Sequence, residues 1–174
     1  MGYDLHRSVE ILRNTPAVLK ALTANLSPYW TDKNTGDGTW TVTDVVAHLI
    51  LGEQTDWIPR TQLFLSDTAD KRFVPFDMEI HLQMKFEKTL GQLLDEFEIL
   101  RKQNLDQLLS LPLSENRLDL EAVHPEIPGK VTLRQHLSTW TVHDLNHIMQ
   151  ISRIMAKQWT EEVGPWRQFL SILN

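Results

Sequence analysis

The chain of 174 residues contains no cysteine. That excludes disulfides, thiolate metal ligands and a cysteine nucleophile. It fits a reducing compartment, and cytoplasm is the expected location. No stretch approaches the roughly 20 consecutive apolar residues of a membrane span. The first ten residues, MGYDLHRSVE, carry acids and no continuous apolar run, so no signal peptide is expected. Positive charge is also scarce: 17 Lys and Arg face 23 Asp and Glu, a net charge of −6. With no basic cluster to offset it, a nucleic-acid partner is not expected. Alternation of apolar and polar residues, the mark of half-buried strands, is nearly absent.

What is present is helical periodicity. The length suits a single domain over 1–174 with a real core. Leu5, Val9, Leu12, Val18, Leu19, Leu22 and Leu26 predict a first helix, with Pro16 expected to kink or interrupt it. A second helix is predicted from Thr41, where Asp44 completes a capping-box pattern, to a break at Pro59. A third is predicted from Asp77 to Leu111, carrying Ile80, Met84, Leu93, Phe97 and Leu105 among its apolar positions. Residues 113–130, with Pro125, Pro128 and Gly129, read as a structured loop with short extended pieces. The longest helix is predicted over Thr132 to Trp159, opened by a Thr132/Gln135 capping box. A short terminal helix is expected from Pro165 through Leu173. The fold class is all-α: a four-helix bundle, up-and-down or crossover, with a short extra C-terminal helix.

The chemistry lies in seven histidines. His143 and His147 stand one turn apart beside the apolar stripe Leu133, Leu137, Trp140, Ile148, Ile151 and Met155. Such an inward pair is either a packing choice or half of a metal site. A third ligand would come from another helix, and His48 is the natural candidate on the inward face of the second. Gly52, one turn later, would leave room beside it. Three imidazoles without a protein fourth ligand leave one position open, the catalytic rather than the structural pattern. The favoured ion is a divalent transition metal, Zn or Ni first, then Fe, Co or Mn. His136 and Asp144 lie on the same side of the last helix and are candidates to support the ligands. Asp144 interrupts the apolar stripe and needs a partner, an imidazole or a helix end. His6, His81 and His124 read as surface or hydrogen-bonding residues. Trp40, Trp57, Trp140 and Trp166 read as core. Glu53 and Asp56 follow His48, but their angular offsets make neither a strong general base.

The segments TWTVTDVVAHL (39–49) and HDLNHIMQISR (143–153), with FVPFD (73–77) and HPEIPGKVTLRQHLSTWTVHD (124–144), resemble the DinB-like superfamily. The resemblance spans nearly the whole chain. It implies a four-helix bundle, usually a homodimer, and a divalent metal on His48, His143 and His147. Relatives include thiol-dependent enzymes that use a low-molecular-weight thiol for isomerisation or S-transfer, and metal-dependent hydrolases. The reading carried forward is a thiol S-transferase acting on a small molecule. The alternatives are a hydrolase and a non-catalytic, metal-stabilised bundle in stress response.

Overall fold

The structure, a computed structural model, describes residues 2–36, 38–77, 80, 82 and 88–174. Four long helices build it: α1 (Leu5–Thr23), α3 (Val42–Thr55), α5 (Leu90–Ser110) and α6 (Leu133–Lys157). Two shorter ones, α2 (Pro28–Thr31) and α4 (Trp57–Leu65), lie between the first and third. Both predicted capping boxes form, Thr41 with Asp44 and Thr132 with Gln135. Helix α1 packs chiefly on α5 and α6, and α3 packs on the same two. Helices consecutive in sequence, α1 with α3 and α5 with α6, therefore face each other diagonally. This is the crossover form of the bundle.

Three expectations change. Pro16 does not break α1, which runs unbroken from Leu5 to Thr23. A proline in mid-helix strips the carbonyl four residues earlier of its donor. Here that carbonyl belongs to Leu12, and Arg101 Nη1 donates to it at 2.8 Å. The third helix does not run on from Asp77. Thr89 is extended and caps α5, with Gln92 closing a capping box. Met84 and His81, placed on that helix or its surface, lie outside the described residues. The terminal segment is helical but in tight 3-10 turns, Gly164–Phe169 and Ser171–Leu173, separated by a non-helical Leu170. Such short pieces suit the 3-10 form. Trp166 on it is 70% exposed, not core, while Leu173 is buried and packs the end of the chain against α6.

The break at Pro59 falls where its steric clash requires, and Asp56 forms the joint between α3 and α4. The loop after α5 contains a hairpin, β1 (Glu121–Val123) and β2 (Lys130–Thr132), antiparallel with Ala122 opposite Val131. The Phe73 amide N–H donates to the Val123 carbonyl, fastening the 71–76 segment to the hairpin. Two apolar clusters fill the bundle. One centres on Leu12, Trp57, Leu105 and Trp140, the other on Leu19, Val45, Phe97 and Ile151. Between them, at mid-height, lies a polar layer that holds the histidines and Arg101.

Candidate metal centre

Helix α3 brings His48 to the middle of the bundle, and α6 brings His143 and His147. His48 and His147 are buried, and His143 is half-buried. The Nε2 atoms of His48 and His143 are 3.2 Å apart, and those of His143 and His147 are 3.0 Å apart. One ring nitrogen from each of the three lies within 4.8 Å of the others. A tetrahedral site with metal–nitrogen bonds of ~2.05 Å has ligand–ligand edges of about 3.3 Å. The donor set therefore fits a small divalent ion.

Protonation is consistent with ligation. Burial pushes His143 far below its ordinary value, and His147, His48 and Arg101 push it the same way. Burial also lowers His147, against a Gln150 hydrogen bond. Neutral imidazoles are the metal-binding form. His147 Nδ1 lies 2.6 Å from Gln150 Oε1, so Nδ1 carries the proton and donates, leaving the Nε2 lone pair free. Sequence reading missed Gln150, although its place one turn after His147 is a readable signal. The aromatic surround is close. Trp40 lies 4.9 Å from His48 and Phe76 5.3 Å from it, ring centre to ring centre, and Trp57 meets His143 edge-on at 5.0 Å.

The other candidates fall elsewhere. The buried ring of His136 packs at a tilt among Trp57, Phe64 and Phe73, and its Nε2–H donates to the Trp57 carbonyl at 3.1 Å. Burial holds it neutral, pushed down to about 4. Asp144 is fully buried but pairs with Arg101 rather than with an imidazole or a helix end. Arg101 donates through Nε and Nη2 to Glu53 Oε1, at 3.1 and 2.8 Å. Its Nη1 and Nη2 reach the two oxygens of Asp144. Asn104 and Trp140 donate to the remaining sides of Glu53. Burial raises the Glu53 carboxyl while the Arg101 charge opposes it. Burial likewise works against the Arg101 cation, but the Asp144 and Glu53 carboxylates outweigh it and raise its value. Arg101 gives no local sign of this role in the sequence, although it occupies the apolar row Phe97, Leu105, Leu108 of α5. His6 is exposed.

Beside the triad opens a cavity of about 180 Å³, bounded by His48, His143, Gly52, Trp57, Asp56 and Arg60. The room beside Gly52 is taken by the Trp57 indole, whose Nε1 would stand 3.2 Å from an added Cβ. The hairpin loop adds His124 and Glu126 to the cavity wall, so His124 is not simply a surface group. Its ring abuts Phe73, and burial together with Arg60 lowers its value. Asp56 and Arg60 form an ion pair one turn apart. Burial pushes the Asp56 carboxyl up to about 6, against the pull of Arg60. A larger groove, about 1020 Å³, lies by the capped starts of α3 and α5 and has no histidine in its wall. Among the described residues, no helix is long and apolar enough to cross a membrane.

Comparison with known proteins agrees with the four-helix-bundle fold. A search of curated proteins finds no match. Among solved structures the chain is similar to YfiT from Bacillus subtilis, described as a probable metal-dependent hydrolase with an unusual four-helix bundle topology. The two share 22% identity and a TM-score of 0.72, over 92% of this chain and 87% of that one. The profile of the DinB superfamily matches residues 11–151, most of the length of the four-helix bundle. The chain belongs to the DinB superfamily.

Proposed function

We propose that this chain, a single domain over 1–174, binds one divalent transition metal through His48, His143 and His147 and acts as a metal-dependent hydrolase on a small molecule. The observation that carries the reading is the coincidence of three facing imidazole nitrogens with a cavity whose wall includes Asp56. The ion would lower the pKa of a water in its open position, making a nucleophile near neutral pH. Asp56 is the group to accept that proton. With its carboxyl raised to about 6 it is ionised at neutral pH and still basic enough to take a proton in the reaction. Arg60 holds the carboxylate in place and offers a cation to a developing negative charge. Trp57 and Phe76 keep the walls apolar and limit water. The volume favours a substrate, or a reacting portion of one, well below drug size.

The position of Asp56 in the cavity wall favours hydrolysis over thiol transfer, which needs no such base. Thiol S-transfer stays as a second reading, supported by the absence of cysteine: a low-molecular-weight thiol would occupy the same open position. That reading also suits the cytoplasm, where such thiols stay reduced. A homodimer is supported by the exposed Val142, Leu145 and Met149 on the outer face of α6.

The test is elemental mass spectrometry on untagged protein, followed by hydrolysis of small esters and amides with and without chelator. One equivalent of metal and chelator-sensitive hydrolysis, lost in Asp56→Asn with metal retained, is expected. Metal-dependent turnover only with an added thiol would replace this reading by the second. Metal without turnover in either screen, and a large fall in melting temperature on chelation, would leave a metal-stabilised bundle.

A further inference from the structure

Arg101 commits all five of its N–H donors inside the bundle: three to carboxylate oxygens of Glu53 on α3 and Asp144 on α6 through Nε and Nη2, and two through Nη1 to Asp144 and the Leu12 carbonyl of α1. One guanidinium from α5 thus joins all four long helices. Two of those helices carry the histidines. Asp144 directly follows His143, and Glu53 lies five residues after His48. A stacked partition separates the two clusters. Trp140, which donates to Glu53, lies flat on Trp57 at 5.4 Å, and Trp57 meets His143 edge-on.

The charge count is uneven. Arg101 is 1% exposed and its two carboxylate partners are fully buried. The Glu53 carboxylate accepts from Arg101, Asn104 and Trp140, of which only Arg101 carries charge. Both oxygens of Asp144 also accept from Arg101. Among the described residues no second cation pairs with either acid. With both acids as carboxylates, one guanidinium faces two of them, and one negative charge is left over in the core, where such a charge is costly. It lies in the same layer as three neutral imidazoles that gather at one point.

We infer that the Glu53–Arg101–Asp144 cluster is the counter-charge and alignment element of the metal centre. It supplies a buried negative charge for a divalent cation and fixes the spacing of the two ligand-bearing helices. The three are positioning residues, since none is among the imidazoles that would hold the ion. The inference rests on the metal-binding reading above.

The test compares Zn affinity, by competition with a chromogenic chelator, with the melting temperature of metal-free protein. Glu53→Gln removes the surplus charge and keeps an acceptor oxygen for Arg101. Asp144→Asn is the independent second variant. Each is expected to weaken Zn binding about 10- to 100-fold, as loss of groups behind metal ligands does. The melting temperature of the metal-free variants should hold or rise, because a buried unneutralised charge is gone. Leu105→Ala, a core truncation, should lower the melting temperature and leave affinity within about twofold. Unchanged Zn affinity in both charge variants, with one equivalent bound by wild type, would overturn the inference and leave the metal reading standing. So would an equal loss of affinity in Leu105→Ala. A wild type that takes up neither Zn nor Ni would overturn both.

Discussion

Two polar clusters sit side by side in the middle of this bundle, and they are built on opposite principles. Around Arg101 every donor has an acceptor and both carboxylates are covered. Around His143 the imidazoles turn nitrogens toward one another, Nε2 to Nε2 at 3.0 and 3.2 Å. Neutral imidazole has one donor and one acceptor. Once Gln150 fixes the proton of His147 on Nδ1, His143 Nε2–H can serve only one of its two neighbours at a time. His143 Nδ1 is buried without a hydrogen bond. Protons alone cannot bridge all three facing Nε2 atoms at once, whereas one cation would take all three lone pairs. A completed polar network is part of a fold's support, and three facing imidazoles are a donor set that a cation would complete.

The strongest way to break that contrast is His147→Ala. If the triad exists for a cation, this variant should drop from about one equivalent of metal to none while keeping its helical circular dichroism. Full metal content in the variant, by elemental mass spectrometry, would mean that the three histidines are not the metal ligands.

Arg101→Met attacks the other side. It would leave the buried Asp144 carboxylate and the Leu12 carbonyl without a donor, and Glu53 with only the neutral donors Asn104 and Trp140. Removing one partner of a buried ion pair costs about 3–5 kcal/mol, so a large fall in melting temperature is expected even without metal. A loss below about 1 kcal/mol in urea unfolding would mean that water or local repacking satisfies those groups and that the cluster is not a structural support.

How legible each cluster is in the sequence follows from its range. His143 and His147 are four apart on one helix, and helix geometry alone puts them together. His48 needs an inference across helices, and the bundle carries it there. The caps at Thr41 and Thr132 are readable because a capping box is local. The one at Thr89 is equally local but is covered by an apolar run that reads as one long helix. Pro16 misleads because its remedy is Arg101, far along the chain, and no local rule anticipates a side chain that replaces a missing backbone donor. His124 and Glu126 reach the cavity only because the hairpin folds the loop back beside α4. An irregular loop carries no periodicity from which to infer that.

Acidification offers a smaller and more selective probe. His136 has an ordinary value of 6.5 and is pushed by burial to about 4 in the folded chain. Between those values the unfolded chain binds a proton that the folded one does not, so stability is full above pH 6.5 and falls as pH drops toward 4. At ~1.4 kcal/mol per unit the window is worth up to roughly 3 kcal/mol. Asp56, raised to about 6, has the opposite sign: its protonated form is favoured in the folded state, so it adds stability as pH falls through 6 toward 3.8. The difference between wild type and His136→Gln isolates the histidine. The variant's melting temperature should vary less between pH 4 and 6.5, and identical pH profiles would show that this ring does not oppose acid.

The mildest probe touches the wall between the two clusters. An added Cβ at Gly52 would stand 3.2 Å from Trp57 Nε1, closer than an ordinary contact, so the indole must give by a few tenths of an ångström. Trp57 has little freedom, being buried, stacked on Trp140 and edge-on to His143. Replacing a mid-helix glycine by alanine gains about 1 kcal/mol of helix propensity, and the crowding should offset most of it. The melting temperature of Gly52→Ala is therefore expected to change little. The displacement acts on the histidine side, because the indole edge bears on His143 while Arg101 keeps all its acceptors. Metal affinity should fall a few-fold with stability nearly constant. A variant that loses stability and keeps its affinity would show that Trp57 transmits strain toward the Arg101 side, and that the partition does not insulate the fold's support from its ligand site.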